Sequence, residues 1–474
     1  MRVYLLNPPF VKNYIRSSRC SWIPISGSSW YPIFLGYATG WLQKHGHEVK
    51  LVDAPVHELS HEQVYADVEK FGPEMVVIYS SYNSLDNDLK VAEAVKKRTR
   101  AFTIFVGAWS IIEPEETLRK SVLDAICPKE FDNVVLDLAN GVPLKDIKGL
   151  IYKEGEGIVR NPDREFMTTE ELDQEPFVTG VYKQFLDIPR YFQSSLLHPY
   201  IDLFTGRGCQ WNQCTYCLWP QTIHKGAKKN YRMRSVDQVM AELEFIRKEI
   251  PNVKEVFFQD DMLTQDRAEE LANALIEKKI KMKWSGYSKA RMDFSVLKRL
   301  KRSGCRFLHV GYESSSLDIL KNSRKGEIPR KMEEFTRDAK RAGLKIHGDF
   351  IFGLPGETRE TIKETIRWAK GLKISDYQFV VPEPHPTTQY YTWLKENDYI
   401  DQDGQVSYPH LSREELEYWR FKAYREMYFR PAYLAKRILE SVHKPAELLR
   451  WVNAGVKALP TILKKQRQFA YESL

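Results

Sequence analysis

Three cysteines, Cys209, Cys214 and Cys217, lie close together in one glycine-flanked segment of the chain. Thiolates at this spacing can each bind one iron of a cubane iron–sulfur cluster. Three protein ligands leave the fourth iron open to a small molecule, and an open metal position suits catalysis better than a purely structural role. The segment therefore predicts a catalytic [4Fe–4S] site.

A structural zinc ion is the alternative interpretation of the same residues. Cys3His is a common zinc ligand set, and His224 would be the fourth ligand. The gap between Cys217 and His224 is longer than usual zinc spacings. The remaining cysteines, Cys20, Cys127 and Cys305, are isolated, which is typical of small buried residues.

Two series of short apolar strands alternate with amphipathic helices and would position these residues. The first series, residues 1–150, predicts a doubly wound, Rossmann-like parallel sheet, with strands at 3–6, 49–52, 75–79, 102–106 and 124–126. Residues 151–195 are rich in turn formers and predict a linker. Six further strand–helix units in 196–395 predict a partial (β/α)6 barrel, with strands at 200–205, 255–259, 282–285, 307–310, 345–352 and 376–381. Residues 396–474 are predicted to be helical.

The cysteine segment resembles the Cys-x3-Cys-x2-Cys signature of the radical S-adenosylmethionine (SAM) superfamily, with one additional residue before Cys214. Segments at later strand ends, 257–261, 311–314, 347–358 and 382–388, resemble further motifs of that superfamily. The resemblance implies that the three cysteines bind the cluster. It also implies SAM contacts by Tyr216, Gln259, Asp260, Glu313, Ser314 and Gly353.

A doubly wound domain before such a barrel is similar to the cobalamin-binding domain of one radical SAM subgroup. Segments 7–9, 52–55 and 80–83 and Gly107 follow its predicted strands, where open α/β sheets bind ligands. The resemblance implies cobalamin contacts by Pro8, Asp53, Ser80, Ser81, Tyr82, Asn83 and Gly107, with the lower face of cobalt near Tyr82 or Asn83. A domain that only docks on the barrel is the alternative.

The resemblance implies an enzyme that cleaves SAM reductively and uses a [4Fe–4S] cluster, SAM and cobalamin as cofactors. Most members of the subgroup methylate an unactivated carbon. Ring contraction or carbon–carbon bond formation on a lipid or polyol stays open as the alternative outcome. A methylthiotransferase acting on tRNA would carry further cluster cysteines, and a simple electron carrier would need no SAM site, so both are disfavoured.

The expected partners are a small-molecule, lipid or peptide substrate and an external electron donor of the flavodoxin or ferredoxin type. Lys and Arg outnumber Asp and Glu by only 71 to 63, which does not favour a nucleic-acid partner. The barrel is similar to those of hopanoid- and lipid-modifying members, through residues 217–222, 310–314 and 346–348.

The location expected from the sequence is the cytoplasm, with a peripheral membrane contact through the C-terminus. Residues 431–474 contain eight basic and three acidic residues. Leu448, Val452, Val456 and Leu459 recur there at helical spacing, as in a helix that lies in an anionic lipid surface. The alternative is that this stripe packs across the open side of the barrel as ordinary core.

Overall fold

The computed structural model describes residues 1–16, 22–107, 113–220, 230–441 and 445–464. Its N-terminal sheet has the strand order β2-β1-β3-β4-β5-β6-β7, and β1 to β5 run parallel. The strands are β1 (Arg2–Asn7), β2 (Glu48–Asp53), β3 (Met75–Tyr79), β4 (Phe102–Val106), β5 (Ala125–Cys127), β6 (Ile151–Glu154) and β7 (Gly157–Arg160). The order reverses between β1 and β3, and their carboxyl ends therefore border the crevice where such sheets bind ligands.

Helices cover both faces of this sheet, as near-continuous apolar strands require. They are α1 (Ile33–Lys44), α2 (Ala54–His57), α3 (His61–Phe71), α4 (Leu85–Thr99), α5 (Pro114–Arg119) and α6 (Asp132–Ala139). Helix α1 packs on α6, and α3 packs on α4. The predicted doubly wound domain is confirmed.

The linker predicted at 151–195 begins later than expected. Strands β6 and β7 form an antiparallel hairpin that extends the N-terminal sheet beyond β5. Ile151 and Tyr152 are buried, and Gly155 adopts the left-handed conformation that the tight turn requires. The connecting segment then contains the short helices α7 (Thr169–Gln174) and α8 (Val178–Phe185).

The second sheet is the predicted partial barrel, with six parallel strands in the order β15-β14-β13-β12-β11-β8. The strands are β8 (Tyr200–Leu203), β11 (Glu255–Leu263), β12 (Trp284–Ser288), β13 (Cys305–Glu313), β14 (Lys345–Ile351) and β15 (Asp376–Val380). A separate antiparallel pair, β9 (Gly206–Arg207) and β10 (Arg232–Met233), lies on either side of the cysteine segment.

Amphipathic helices cover the outside of the barrel. They are α9 (Val236–Glu249), α10 (Gln265–Glu277), α11 (Phe294–Ser303), α12 (Leu317–Asn322), α13 (Pro329–Arg341), α14 (Arg359–Leu372), α15 (Gln389–Glu396) and α16 (Arg413–Tyr428). Helix α8 packs beside the edge strand β8 and α16 beside the edge strand β15. Several of these helices begin at a side-chain cap, as Thr264 does for α10.

Aromatic residues of the segment before α1 join the two sheets. Trp30 lies 5.6 Å, centroid to centroid, from Phe257 of β11. The ring of Tyr31 stacks between Tyr182 and Tyr191, and its hydroxyl donates to the carbonyl of Tyr200 at 2.8 Å. These contacts bury part of the N-terminal domain against the barrel and fix one domain on the other.

The last two helices are α17 (Pro431–Ser441) and α18 (Pro445–Lys464), and the predicted apolar stripe lies on α18. Trp451 packs near Tyr433 on the inner side of α18. On the outer side, Val452 is 41% exposed and Val456 is 61% exposed, so these positions are not core. No described helix is both long and apolar enough to cross a membrane.

Candidate active site

The cysteine segment begins directly after a glycine, Gly208, whose conformation determines the path of the chain. Gly208 adopts a φ of 94°, and a Cβ there would lie 1.6 Å from the carbonyl oxygen of Asn230. The Cys217 amide donates to the carbonyl of Cys214, and the Thr215 amide donates to the carbonyl of Ser323. Only glycine at position 208 therefore lets the segment pass this close to the strand that follows it.

All three predicted cluster ligands, Cys209, Cys214 and Cys217, line one cavity of about 200 Å³ at the carboxyl ends of the barrel strands. Burial raises the pKa of the Cys214 thiol, while the nearby cations Lys325 and Lys289 oppose that effect. A shared cavity, thiol donors and neighbouring cations fit an anionic thiolate-bound cluster.

The zinc alternative would need a compact set of ligands around one ion. Among the described residues, no group of three or more His, Cys, Asp or Glu side chains is arranged to hold a single metal ion. His224, the proposed fourth ligand, and Cys20 lie outside the described residues.

Glu313 is a charged residue of the cavity wall. Its Oε1 accepts hydrogen bonds from the Tyr216 hydroxyl at 3.1 Å and the Lys325 ammonium at 2.5 Å. Oε2 receives no hydrogen bond from the part of the chain that the structure describes. Gly311 makes room for this arrangement, because a Cβ there would lie 2.5 Å from the Glu313 carboxylate. Two of the predicted SAM contacts, Tyr216 and Glu313, are thus brought together.

Asp260, another predicted SAM contact, faces away from the cavity. It accepts hydrogen bonds from the backbone amide and hydroxyl of Thr205, and burial raises its pKa to about 6. The next residue, Asp261, lines the cavity instead and accepts from the Gly208 amide at 3.1 Å. Successive residues of a strand point to opposite faces, and so one carboxylate holds the chain while its neighbour faces the site.

The remaining predicted SAM contacts are also absent from the cavity wall. Gln259 is buried in β11. Ser314 lies against Thr365. The Gly353 carbonyl accepts hydrogen bonds from Tyr390 and Tyr408 and so anchors the loop after β14. In this structure these three residues lie outside the lining of the cysteine cavity.

Two stacked imidazoles, neither of which is among the predicted site residues, lie side by side in the barrel. The rings of His309 and His347 are 4.6 Å apart, centroid to centroid, and His347 Nε2 lies 3.1 Å from Asp349 Oδ1. Burial alone would lower the pKa of His347, but Asp349 and Asp376 outweigh that effect and raise it to about 10. His309 and Asp349 line the cysteine cavity.

Most of the predicted cobalamin contacts lie at the crevice of the N-terminal sheet but are engaged within the protein. The Pro8 carbonyl accepts from Arg16. Asp53 accepts from Asn7 and Tyr191, each at 2.7 Å. The hydroxyls of Ser80 and Ser81 bond to Asp88 and Tyr14, respectively. These bonds hold the loops in shape.

The other three predicted cobalamin positions are Tyr82, Asn83 and Gly107. The side chain of Tyr82 is 48% exposed. Asn83 donates to Glu383 of the barrel at 3.1 Å. Gly107 has a φ of 112° and borders a cavity between the domains, where a Cβ would lie 2.7 Å from the Ser80 carbonyl oxygen. A glycine that borders a cavity lets a ligand approach the backbone closely.

The cavity between the domains adjoins the cysteine cavity. Gly107 lines it from the N-terminal domain, Gly208 lines it from the barrel, and Asp261 borders both cavities. Its volume of about 50 Å³ admits one or two waters, since a water occupies ~30 Å³ in the liquid. The residues that line this cavity are compatible with a ligand at the crevice. A molecule the size of cobalamin would have to widen the cavity.

Two family models match the chain. The B12 binding domain matches residues 26–139, and the Radical SAM superfamily matches residues 203–369. These matches cover the two α/β units that carry the crevice and the cysteine cavity.

Two of the relatives that match most of the chain are methyltransferases by name. An uncharacterized methyltransferase of Pyrococcus horikoshii is 28% identical over 458 residues, which are 93% of this chain and 95% of that protein. The cytidylyl-2-hydroxyethylphosphonate methyltransferase of Streptomyces wedmorensis is 27% identical over 446 residues, which are 81% of this chain and 79% of that protein.

A solved structure has the same fold. It is the radical S-adenosylmethionine methyltransferase TsrM from Kitasatospora setae, which was determined with cobalamin and a [4Fe–4S] cluster bound. The TM-score is 0.67 at 18% identity, and the match covers 84% of this chain and 78% of that chain.

Proposed function

Because the chain belongs to the radical SAM enzymes that carry a B12-binding domain, we propose that it transfers a methyl group from SAM, by way of cobalamin, to an unactivated carbon of a small molecule. The observation that carries this proposal is the position of Asp261, which borders both the cysteine cavity and the crevice beside Gly107. A methyl group can pass between two cofactors only if their sites adjoin.

The cofactors that the two domains imply are a [4Fe–4S] cluster, SAM and cobalamin. When bound, they supply electron transfer and methyl carriage, chemistry that no side chain can provide. We assign the cluster to Cys209, Cys214 and Cys217, and cobalamin to the loops that carry Tyr82 and Gly107.

Glu313 is the residue we assign to SAM orientation. A carboxylate has ~four acceptor positions, and Tyr216 and Lys325 use only positions on Oε1. Oε2 can therefore accept a hydrogen bond from a hydroxyl or amine of SAM. Lys325 offsets the negative charge of Glu313, which burial would otherwise make costly.

The rest of the cavity wall keeps the site dry. Tyr287, Trp219 and Met262 line it beside the cysteines. Excluding water protects reactive intermediates from side reactions and strengthens the electrostatic interactions inside the site. The His347–Asp349 ion pair holds a proton beside the cavity, which Asp349 lines.

We further propose that the substrate is a lipid and that the C-terminal helices contact an anionic membrane surface. This proposal is supported by the outer face of α18, where Leu449, Val452 and Val456 are exposed. Arg450 and Lys457 lie on the same helix. Exposed apolar residues with cations nearby suit a helix that lies in a lipid surface.

Labelled SAM tests the proposed reaction. Protein purified without oxygen and reconstituted with iron, sulfide and cobalamin is reduced and mixed with methyl-deuterated SAM and a cellular lipid extract. We expect a brown protein with about four irons, release of both 5′-deoxyadenosine and S-adenosylhomocysteine, and label in a lipid.

Other results would contradict the proposal at identifiable points. A colourless protein with one tightly bound zinc would overturn the cluster assignment. Release of 5′-deoxyadenosine without S-adenosylhomocysteine would favour the non-methylating alternative. Label in a water-soluble extract but not in the lipid extract would overturn the lipid proposal alone.

A further inference from the structure

Arg207 lies two positions before Cys209 and is buried between the two domains. Its Nη1 donates to Asp132 at 2.9 Å and to Glu130 at 3.1 Å, and its Nη2 donates to Glu175 at 2.7 Å. Asp132 begins helix α6 of the B12-binding domain, whereas Arg207 ends strand β9 of the barrel unit. One guanidinium therefore connects the base of the cysteine segment to the neighbouring domain.

A second arginine makes the β9–β10 pair depend on this connection. Arg232 of β10 is paired in register with Arg207 across the β9–β10 ladder. Like charges directly opposite each other on neighbouring strands are destabilising. Glu130 offsets this repulsion, because it accepts from Arg207 and, at 2.9 Å, from Arg232. The β9–β10 pair thus depends on carboxylates that precede the barrel in the chain.

The planar guanidinium of Arg207 also fixes the orientation of the β9–β10 pair relative to α6. The side chain of Arg207 is 6% exposed, and it contacts carboxylates from three different positions while its plane lies over the Tyr37 ring at 5.1 Å. A rigid fork with several partners permits only one orientation, which a flexible ammonium group would not fix. Any shift of the β9–β10 pair relative to α6 would break at least one of these bonds.

We propose that Arg207 is a positioning residue that sets the cluster-binding segment at a fixed distance and orientation relative to cobalamin in the B12-binding domain. This inference rests on the proposed function, because the two cofactors must exchange a methyl group across this boundary. Arg207 also lines the cavity between the domains, but the role assigned to it is exercised through its carboxylate partners. It acts through Asp132 on one side and through the segment leading to Cys209 on the other.

Arg234 provides a matched control. It is also a buried arginine with a short bond to a carboxylate, 2.7 Å to Glu242. Both residues belong to the barrel unit, since Glu242 lies on α9. Loss of the bonds that Arg234 Nη1 makes to Glu242 and to the Phe204 carbonyl would weaken the barrel unit itself.

The experiment compares Arg207→Lys and Arg234→Lys in the full chain, loaded with cluster and cobalamin. The first measurement is the magnetic coupling between the reduced cluster and Co(II) cobalamin in electron paramagnetic resonance spectra, which depends on their distance and orientation. The second is the ratio of methylated product to 5′-deoxyadenosine. Iron content, cobalamin content and melting temperature are recorded for each variant.

For Arg207→Lys we expect bound cluster and cobalamin, a changed coupling, and a methylation ratio lowered by about a hundredfold, the size of effect that a small misplacement can cause. Arg234→Lys should keep the coupling and ratio of the unmodified protein. If Arg207→Lys does not fold, Asp132→Asn removes one partner at nearly constant size and should give the same changed coupling.

Unchanged coupling and ratio in a loaded Arg207 or Asp132 variant would overturn the inference. The same change in Arg234→Lys would also overturn it, because the effect would then be general destabilisation. Failure of the unmodified protein to bind cluster and cobalamin would instead contradict the proposed function, so the two failures are distinguishable.

Discussion

Lys325 donates to Oε1 of Glu313, the same oxygen that accepts the Tyr216 hydroxyl, and the two side chains of this ion pair are 13% and 6% exposed. The pair holds a carboxylate at the wall of the cysteine cavity with one oxygen uncommitted. It therefore provides the most specific test of SAM binding.

Glu313→Gln should weaken SAM binding at least about tenfold, equivalent to ~1.4 kcal/mol, because the amide carries no charge and leaves Lys325 without its carboxylate. Isothermal titration of cluster-loaded protein measures this. Ser314→Ala is the control, since Ser314 lies against Thr365. Equal affinities for SAM in the Gln variant and the unmodified protein would rule out the assigned role.

Replacing Cys209, Cys214 or Cys217 with Ala should remove the cluster and all formation of 5′-deoxyadenosine, because each thiolate is proposed to bind one iron. Iron analysis and the visible absorption spectrum measure the loss. Cys305→Ala is the control, because Cys305 is buried in β13 and does not line the cavity. A Cys209 variant that retains the full iron content would show that the first cysteine is not a ligand.

Gly107→Ala should abolish or strongly weaken cobalamin binding, because the new Cβ meets the Ser80 carbonyl oxygen at 2.7 Å. Absorbance of cobalamin retained after gel filtration measures the effect. Gly141→Ala controls for backbone strain, since Gly141 also has a positive φ but no atom near its Cβ position. Similar losses in both variants would attribute the effect to strain instead of to the crevice.

Changing Leu449 and Val456 together to Ser should reduce sedimentation with anionic vesicles, because both side chains are exposed on the outer face of α18. Binding by the unmodified protein should weaken as salt rises. Leu317→Ser, an exposed apolar position on α12, is the control. If the unmodified protein does not bind vesicles, the membrane proposal is wrong.

Glu175→Gln should reduce the pH dependence of stability. Burial raises the pKa of Glu175 from its usual 4.5 to about 8, despite the opposing effect of Arg207. Between these values the native protein binds more protons than the unfolded protein, so this group's stabilising contribution is lost as pH rises through about 8.

Melting temperatures between about pH 5 and about pH 8 measure this slope. The fall should be smaller in the Gln variant than in the unmodified protein. Glu156→Gln, on the exposed turn between β6 and β7, is the control and should leave the slope unchanged. Identical slopes in all three proteins would contradict the assignment of the titrating group.

Strands with continuous apolar runs were predictable from sequence, because burial on both faces leaves a clear pattern. Strands β3 and β4 begin and end where the sequence predicts. Strand β12 was predicted at 282–285 but is observed at Trp284–Ser288. Its second half, Gly286 to Ser288, is poor in typical strand formers, and Tyr287 and Ser288 line the cysteine cavity.

The candidate site was predictable in part. The cysteines, Tyr216 and Glu313 belong to local motifs, and the structure places them around one cavity. That Asp261 lines the cavity could not be predicted from the sequence, because it depends on the register of β11 relative to the lumen. Lys325 has no local signal, because only the course of the chain after α12 brings it to Glu313.

The packing of Trp30 against Phe257 and Tyr287 has a consequence for biosynthesis. A ribosome adding ~5–20 residues per second completes strand β12 tens of seconds after Trp30 has been made. During that interval Trp30 and Tyr31 lack their barrel partners, and a chaperone that shields apolar surface would protect the nascent domain. In a fragment that ends before the barrel, Trp30 and Tyr31 would always lack their barrel partners. Ligand studies should therefore use a chain that contains both domains.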